Sequence, residues 1–405
     1  PGHGGLRMLR VLHVVSGLSW RFGGTSAAVL TMTEALAQTG QVHVEIATTT
    51  ADGAGGCLAP TERPRPAVPC HWFRRDALER WKVSVGLASW LHAHAGDYDL
   101  LHVHALWTFS TAAACAAARR RRVPYLLMAH GMLSDRSFAR GRWRKQLYWQ
   151  AVERRNVREA ARIHVTSQSE ADDLAQLDVP TRPAVVPLGL TAEAWTSPAT
   201  PERLRQKCEP PARGRPIILC LARLHPIKGI TDVLLPALAL LDGQAFLALV
   251  GGPDEHEPDY AREVERTIAQ LGLTENVAVL GMVAGEERFG LFDGAEVVVL
   301  PSHYESFGLV AVEAMARAKP VVVTTGVKAS EHVTKADAGR VVPVEAQSLA
   351  IALRQLLAAP EERARLGRLG QAYVQQELAW PRIASGLVEL YHDVAQPRRQ
   401  LQDVS

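Results

Sequence analysis

Short runs of aliphatic and β-branched residues alternate along the chain with longer, alanine-rich segments of helical periodicity. The apolar runs of the first half lie at 9–15, 42–49, 100–105, 125–130 and 163–167, and those of the second half at 217–222, 246–251, 277–281, 297–301 and 321–324. Runs of this length between helical segments are typical of strands buried between two layers of helices. The pattern therefore predicts an α/β fold with two parallel sheets.

The segment 191–215 separates the two series of strands. It is rich in proline and charged residues, and we interpret it as a linker. We accordingly predict two doubly wound, Rossmann-like domains, at 8–190 and 216–378, that face each other across a cleft. Because ligands of such sheets bind outside the carboxyl ends of the strands, we expect the ligand in that cleft.

The composition is that of an ordinary folded protein. Of 405 residues, 47% are apolar and 21% are charged, which is enough apolar material for real cores. Lys and Arg number 45 against 42 Asp and Glu, an excess too small for a protein that binds nucleic acid by neutralising phosphates. The five cysteines include no C-x2-C pair, which favours a reducing, cytoplasmic location over a zinc site. With no long apolar run, we expect no membrane-spanning helix.

Two glutamates mark the most informative segment of the second half. Glu305 ends the loop after a predicted strand, and Glu313 lies in an apolar helical run, where an ionised carboxylate is costly unless something binds it. A helix starting near Ser306 would direct the backbone N–H groups of Phe307, Gly308 and Leu309 at the space above the strand end, where phosphate oxygens bind well. The alternative is that Glu313 is a partly exposed helix residue and that Glu305 complements the helix dipole.

Two cations lie upstream, after another predicted strand and before a helix. Arg223 can fork two phosphate oxygens and Lys228 adds a compact second charge, so together they suit a diphosphate. Taken singly, such residues are more often solvated charges beside a turn. Together with the two glutamates, they predict one site at the carboxyl edge of the second sheet.

In this order, the residues resemble the nucleotide-sugar domain of the family 4 retaining glycosyltransferases, which have the glycosyltransferase B fold. The matches in the second half are Arg223, Lys228-Gly229, Val-Gly-Gly at 250–252, Val-Leu-Gly-Met-Val at 279–283, and Glu305 with Glu313. The matches in the first half are Phe-Gly-Gly-Thr at 22–25, His-Val-His at 102–104 and Ala-His-Gly-Met at 129–132. Trp-Pro-Arg-Ile-Ala at 380–384 resembles the start of the family's closing helix, so we predict that 379–395 crosses back to the first domain.

The resemblance implies a role for each matched residue. Glu313 resembles the glutamate that accepts bonds from the ribose hydroxyls, and Glu305 resembles the one that contacts hydroxyls of the transferred sugar. Arg223 and Lys228 would neutralise the pyrophosphate as the sugar–phosphate bond breaks, so no metal or other cofactor is implied. The implied donor-binding residues are Gly23, Gly24, Arg223, Lys228, Gly252, Met282, Glu305, Phe307, Gly308, Leu309 and Glu313.

His130 ends a predicted strand of the first domain. The resemblance implies that it contacts the donor sugar near the reacting centre, whereas a core histidine bonded to backbone is the alternative. The implied catalytic residues are His130, Glu305, Arg223 and Lys228. His102 and His104, on the preceding strand, are expected to face opposite sides, so that at most one reaches the cleft.

Positive charge is concentrated between residues 119 and 162. This segment holds thirteen Lys or Arg against three acidic residues, and Trp143, Tyr148 and Trp149 are interleaved with them. The composition suits an anionic membrane surface or a lipid-diphosphate acceptor, so one hypothesis is peripheral attachment at the inner face of the membrane. A solvated helix exterior whose aromatic residues pack inward is the alternative.

The resemblance implies a glycosyltransferase of polysaccharide biosynthesis. It would move a hexose from a UDP- or GDP-linked donor to a hydroxyl of a saccharide or lipid-linked acceptor. The resemblance implies retention of the anomeric configuration, and we favour attack on the face from which the leaving group departs. A same-fold epimerase or hydrolase and a non-catalytic nucleotide-sugar-binding protein are the alternatives.

Overall fold

The chain folds into two compact units. The computed structural model describes residues 8–53, 55–77, 81–133, 142–177, 179–198, 200–209, 211–283 and 287–402, except the side chains of 142 and 397–402. The first unit takes the residues up to Gly189 together with those from Trp380 onward, and the second takes Leu190–Ala379. The first unit is therefore built from two separate stretches of sequence.

Seven parallel strands form the sheet of the first unit. They are β1 Leu9–Val15, β2 Val42–Thr49, β5 Cys70–Phe73, β6 Leu100–His104, β7 Tyr125–Met128, β8 Arg162–Val165 and β9 Pro183–Val185. A short antiparallel hairpin, β3 Ala51–Asp52 with β4 Gly56–Cys57, follows β2. The strand order in space is β5-β2-β1-β6-β7-β8-β9. All five runs predicted for this half form strands, whereas β5 and β9 escaped prediction because they are short edge strands without a buried apolar run.

Six parallel strands form the sheet of the second unit. They are β10 Ile217–Leu221, β11 Phe246–Val250, β12 Val277–Val279, β13 Val297–Leu300, β14 Val321–Thr324 and β15 Gly339–Val342. Their order in space is β12-β11-β10-β13-β14-β15. Here too every predicted run forms a strand, and the unpredicted β15 is again at the edge.

Helices connect the strands of both sheets. In the first unit they are α1 Gly24–Gln38, α2 Val85–His94, α3 Phe109–Arg121, α4 Arg142–Tyr148, α5 Arg154–Arg158 and α6 Gln168–Ala175, with a π turn, Trp149–Glu153, between α4 and α5. In the second unit they are α7 Glu193–Thr196, α8 Glu202–Cys208, α9 Leu235–Leu240, α10 Tyr260–Gln270, α11 Glu287–Gly294, α12 Leu309–Ala316, α13 Ser330–Ala336, α14 Ala346–Ala358 and α15 Pro360–Glu377. The last helix, α16 Trp380–Gln402, belongs to the first unit. Within the described ranges, no helix combines the length and apolar character needed to cross a bilayer.

Each unit has its own apolar core between sheet and helices. Leu12, Val103 and Leu127 are fully buried in the first, and Ile218 and Leu247 in the second. Because both faces of these sheets are covered, apolar residues predominate in the central strands, which is why the sequence revealed them. The apolar runs are uninterrupted in β10 and β11, whereas histidines interrupt them in β1 and β6.

The segment 191–215, which we interpreted as a linker, contains α7 and α8. Leu204 and Cys208 of α8 are fully buried, and α8 lies against Gly290 and Gly294 of α11. Prolines start helices as readily as they interrupt them when they occupy the first turn, and Pro201 stands directly before α8. Pro201 therefore marks the start of a helix in this segment.

Both sheets reverse their strand order beside their first strand. In the first unit this topological switch point lies between β1 and β6, and in the second between β10 and β13. Open α/β sheets bind ligands outside the carboxyl ends of the strands that flank such a point. Each unit therefore has one favoured position for functional side chains.

Candidate active site

The turn after β10 carries the two predicted cations of the second unit. Arg223 forms an ion pair with Asp254, whose side chain is almost fully buried and also accepts a bond from the backbone N–H of His256 at 2.9 Å. The Arg223 side chain is 58% exposed. The buried carboxylate therefore holds a guanidinium whose other donors remain open to the solvent.

Lys228 is brought to the end of the neighbouring strand by a tight turn. Gly229 has φ 65°, and a side chain there would collide with the carbonyl oxygen of Pro301. The backbone N–H of His303 donates to the carbonyl of Ile227 at 2.8 Å. These contacts place Lys228 against the loop after β13, where its ammonium group forms an ion pair with Glu305.

Glu305 sits on a loop that is held by a second stretch of backbone. Its N–H donates to the carbonyl of Gly326 at 2.9 Å, its carbonyl accepts from Lys328 at 3.2 Å, and the carbonyl of Phe307 accepts from Ala329 at 2.6 Å. The loop before α12 is thereby fixed from residue 305 to residue 307, and the carboxylate beside Lys228 has a defined position.

The backbone turns sharply into α12 at Gly308. Its φ of 99° lies in the region that favours glycine. Phe307 is buried with its ring edge-to-face on His332 at a centroid distance of 5.6 Å. Leu309 is the first residue of α12, so the predicted N–H donors do occupy a helix N-terminus, three residues later than we expected.

Glu313 is buried on α12 and bonded to an arginine that the sequence did not reveal. Arg288, on α11, donates from Nε at 3.1 Å and from Nη2 at 2.8 Å, both to Oε1 of Glu313. Burial raises the pKa of Glu313, and the Arg288 charge opposes that shift. Both bonds end on one oxygen, so Oε2 keeps its capacity to accept bonds from a ligand.

Gly252 and Met282 follow β11 and β12. The carbonyl of Gly252 accepts from Leu224 N–H at 2.9 Å, and Gly251 N–H donates to the carbonyl of Gly281 at 2.8 Å. The Met282 side chain lies beside Gly252 and is largely exposed. The carboxyl ends of three neighbouring strands are thus joined, with Arg223, Gly252 and Met282 along one edge.

The predicted residues of the first unit follow β1 and β7. Gly23, with φ 60°, caps α1, and Gly24 is its first residue. His130 has φ 50° and is followed by Gly131 at 76°. The N–H of Gly131 donates to Glu170 at 3.1 Å, which fixes this turn at the carboxyl edge of the first sheet.

Comparison with known proteins identifies the family. Residues 23–189 match the Glycosyl transferase 4-like domain, and residues 203–372 match Glycosyl transferases group 1. A D-inositol 3-phosphate glycosyltransferase of Xylanimonas cellulosilytica is 30% identical over 396 residues, and the alignment covers 93% of each protein. This chain belongs to glycosyltransferase family 4.

Solved structures agree with the family 4 assignment. A sucrose-phosphate synthase from Thermosynechococcus elongatus has a TM-score of 0.76 at 25% identity, covering 98% of this chain and 100% of that protein. HepE of Anabaena, solved in complex with UDP-glucose, has a TM-score of 0.76 at 24% identity, covering 95% of this chain and 100% of HepE. The glycosyltransferase B fold is therefore confirmed, and the chain is a retaining transferase that takes its sugar from a nucleotide sugar.

The first unit of this family 4 enzyme also holds a chain of histidines that the sequence did not predict, and all of its members are buried except the half-buried His130. His13 lies opposite His102 in the parallel pairing of β1 with β6, and His104, His130 and His164 extend the group. Burial lowers the pKa of His13 and His130 to about 3 and that of His164 to about 4. His102 and His104 are likewise shifted well below the ordinary value, first by burial and then by neighbouring histidines. All five rings are therefore neutral at neutral pH.

Our expectation that His102 and His104 face opposite sides was wrong. Their rings stack with centroids 4.4 Å apart. Residues two apart on a strand share a face, because successive side chains alternate. Applied correctly, this spacing predicts that both rings lie together on one side of β6.

Three of these histidines also have the spacing of a metal-ligand set. Ring nitrogens of His13, His102 and His104 lie within 4.8 Å of one another. Every ring nitrogen of the three is hydrogen bonded within the chain of histidines. The donor set therefore fits a hydrogen-bonded chain better than a metal.

Proposed function

We propose that the protein transfers a hexose from a UDP-sugar to a hydroxyl of a saccharide or lipid-linked saccharide. The observation that carries the proposal is the ion pair between Lys228 and Glu305 at the switch point of the second sheet. It joins the two kinds of group that an activated sugar needs: a cation for the diphosphate and a carboxylate for the sugar hydroxyls.

Arg223 and Lys228 support the departure of the nucleoside diphosphate. As the anomeric carbon–oxygen bond breaks, negative charge grows on the bridging phosphate oxygen, and fixed cations nearby stabilise it. A diphosphate entering the site competes with Glu305 for Lys228. Glu305 is then released to accept hydrogen bonds from the sugar hydroxyls, so one exchange prepares both groups.

Glu313 and His130 complete the proposed set. Oε2 of Glu313 accepts bonds from the ribose hydroxyls, while Arg288 holds the carboxylate in place through Oε1. His130 contacts the donor sugar. In the same-face route that we favour, the acceptor hydroxyl attacks the anomeric carbon and passes its proton to a phosphate oxygen of the departing diphosphate.

The two cations also supply the positive charge that a metal ion provides in other transferases. We therefore propose that transfer proceeds without a divalent metal. Activity that is unchanged by EDTA and by added Mg²⁺ is expected, whereas loss with EDTA and recovery with Mg²⁺ would contradict this part of the proposal.

Donor and acceptor classes are supported by the relatives. HepE was solved with UDP-glucose, and the relative from Xylanimonas is named a D-inositol 3-phosphate glycosyltransferase. We propose UDP as the leaving group. The acceptor series to be tested comprises free saccharides, lipid-linked saccharides and D-inositol 3-phosphate.

The test is turnover of UDP-linked and GDP-linked hexoses with and without these acceptors. We expect UDP release that depends on the acceptor and a product with the anomeric configuration of the donor, measured by NMR. The matched variants are Lys228→Ala, which should lose activity, and Lys207→Ala, an exposed lysine of α8, which should not. Equal release of free sugar or epimer without acceptor would instead favour the epimerase or hydrolase, and donor binding with no turnover would favour the binding protein.

We further propose that the first unit rests on an anionic membrane through α4. Trp143 and Leu147, one helical turn apart, are 66% and 64% exposed, and the Arg144 guanidinium lies over the Trp143 ring at 5.0 Å. Trp149, by contrast, packs inward. An exposed aromatic and aliphatic pair flanked by cations suits the interface of an anionic bilayer.

Co-sedimentation with vesicles tests this surface. Binding to phosphatidylserine-containing vesicles at low salt should fall in the double variant Trp143→Ser with Leu147→Ser. It should persist in Val85→Ser, a residue of α2 with 65% exposure. Negligible binding of the unaltered protein would contradict the proposal.

A further inference from the structure

Six hydrogen bonds connect a backbone carbonyl of the first unit to His130. From Val186 outward, the ring of His164 bonds the carbonyl through Nε2 at 2.8 Å, and its Nδ1 lies 3.3 Å from Nε2 of His102. The hydroxyl of Tyr391 lies 2.8 Å from Nδ1 of His102 and 3.2 Å from Nε2 of His13. His13 Nδ1 then lies 3.0 Å from His104 Nε2, and His104 Nδ1 lies 3.2 Å from His130 Nε2. We call this set the histidine chain.

One end of the histidine chain has a fixed polarity. A carbonyl oxygen only accepts, so His164 must carry its proton on Nε2 and donate to Val186. The N–H of Val186 is itself paired with the carbonyl of Val165 at 2.9 Å, which ties this residue to the end of β8. Because a neutral imidazole has one N–H, Nδ1 of His164 must accept.

The same argument, that a neutral imidazole has one donor and one acceptor nitrogen, applies to each ring of the chain in turn. His102 donates from Nε2 to His164 and accepts at Nδ1 from the hydroxyl of Tyr391. The oxygen of that hydroxyl accepts from Nε2 of His13. Burial raises the pKa of Tyr391 well above its ordinary value, so the hydroxyl keeps the proton that it donates. Reversing any one bond would set two N–H groups, or two lone pairs, against each other in a dry core.

We propose that the carbonyl of Val186 sets the tautomer of His130 through this chain, with Tyr391 as the relay, so that His130 meets its ligand with an unprotonated Nδ1. All five histidines then carry their protons on Nε2. His130 donates to His104 on one side and is a hydrogen-bond acceptor on the other. Tyr391, in α16, is a positioning residue that acts through His13 and His104.

The ligand recognised by such an acceptor is a hydroxyl group. This step rests on the proposed function, since a donor or acceptor sugar would supply that hydroxyl. An unprotonated Nδ1 receives a hydrogen bond from it, whereas the opposite tautomer would present an N–H and select for a carbonyl or phosphate oxygen.

The first measurement is the tautomer of each ring in the unaltered protein. With ¹⁵N-labelled histidine, long-range ¹H–¹⁵N spectra distinguish protonated from unprotonated ring nitrogens. The five rings are separated from exposed ones such as His92 and His256 because their signals stay unchanged when the pH is lowered to about 6, below the ordinary histidine pKa of about 6.5. His332 of the second unit, whose pKa is also lowered by burial, is identified by the loss of its signal in His332→Gln. We expect all five to show a proton on Nε2. A proton on Nδ1 of any member would overturn the proposal.

The second measurement breaks the chain at its relay. Tyr391→Phe removes the group that orients His13, so His13, His104 and His130 should show mixed tautomers, while His102 and His164 stay anchored to Val186. The matched control is Tyr125→Phe, which removes a buried hydroxyl of the same unit that donates to the Asn156 carbonyl at 2.7 Å. The control should leave all five tautomers unchanged. Unchanged tautomers in Tyr391→Phe would overturn the relay, and if that variant does not fold, the spectrum of the unaltered protein still decides the polarity.

Measurements of turnover distinguish a failure of this inference from a failure of the proposed function. In Tyr391→Phe, we expect kcat for sugar transfer to fall in proportion to the fraction of His130 that carries its proton on Nδ1, with KM for the donor little changed. Tyr125→Phe should not show this link. Mixed tautomers with full activity would refute the catalytic consequence alone, whereas absence of transferase activity in the unaltered protein would refute the proposed function and leave the tautomer result standing.

Discussion

The two units place different polar groups beside their switch points. In the first, His13 on β1 and His104 on β6 are neutral rings bonded to each other, and the ring of His102 packs against both. In the second, Lys228 after β10 and Glu305 after β13 are full charges bonded to each other. One unit thus satisfies its polar groups with neutral hydrogen bonds and the other with an ion pair.

The difference determines whether an incoming ligand can replace one of these bonded polar groups. A charged ligand can replace one member of an ion pair, because each member still has a strong partner after the exchange. A chain of neutral rings offers no such exchange in its interior, since every nitrogen is already used and any break leaves a buried group unpaired. The second unit is therefore suited to taking up a charged ligand, and the first to orienting a side chain.

Low pH should produce the largest difference in folding stability between the two units. Burial lowers the pKa of the five histidines below that of the unfolded chain, so the unfolded state binds more protons as the pH falls below about 6.5, and the folded state loses stability. At pH 5 the loss is about 2 kcal/mol for each independent histidine, and five approach the whole stability of a domain. We expect the first unit to open before the second.

Pulsed hydrogen exchange locates the acid-induced opening. The protein is held at pH 5 and labelled at neutral pH, and the amides of β1 and β6 are compared with those of β10 and β11. In the second unit, burial lowers the pKa of His332 to about 4, so this unit has its own smaller acid sensitivity. Opening of the second unit first would contradict the assignment of acid sensitivity to the histidine chain.

Removing the ammonium group of Lys228, which an incoming diphosphate would bind, should have the next largest effect, and this effect is on kcat. Lys228→Ala leaves Glu305, which is partly exposed and can hydrate, so the fold should survive. The loss of one fixed charge at the departing phosphate predicts a fall in kcat of about 10²–10³-fold. Steady-state kinetics with the donor in excess measure it, Lys207→Ala is the control, and a fall of less than about threefold would argue against a role for Lys228 in leaving-group stabilisation.

The two units also differ in the residue that turns the chain at the strand end. His130 has φ 50°, which side chains tolerate, whereas Gly308 has φ 99°. In Gly308→Ala, the added carbon would lie 2.7 Å from the Val327 side chain, so we expect a loss of about 1–3 kcal/mol in the free energy of unfolding. The matched variant is Gly386→Ala in α16, where nothing lies within 4 Å and helix propensity predicts a small gain. Equal melting temperatures for the two variants would contradict the strain at Gly308.

The smallest expected effect is at the buried carboxylate. Glu313→Gln keeps the shape of the side chain but removes the charge that faces Arg288 and the ribose hydroxyls. We expect the Kd for UDP to rise about tenfold, or about 1.4 kcal/mol, by calorimetry. Glu345→Gln, at an exposed position before α14, is the control. Unchanged affinity in Glu313→Gln would argue against nucleotide contact through Glu313.

The features that could be predicted from the sequence are those that depend on a local pattern of residues. Central strands were predictable because apolar residues predominate in them, and Lys228 and Glu305 were visible because each follows an apolar strand. Edge strands such as β5 and β15 lack that signal. Asp254 and Arg288, which hold Arg223 and Glu313, come from other segments with no characteristic spacing, so only the folded structure reveals them.

The histidine chain was out of reach for a different reason. It requires the register of β1 against β6, which a single sequence does not contain, and a tyrosine hydroxyl that meets His102 across 289 positions of sequence. The one local clue, the spacing of His102 and His104, indicates a shared face of the strand. That clue would have predicted a pair of stacked rings, but neither their partners nor their polarity.

The discontinuous sequence of the first unit has a consequence for synthesis. Tyr391 leaves the ribosome after the entire second unit, so the two parts of the histidine chain that Tyr391 links, His164 with His102 and His13 with His104 and His130, stay unlinked while roughly half of the protein is still being made. A stop codon or proteolytic cut before α16 would spare nearly all of both sheets yet leave this assembly permanently unfinished.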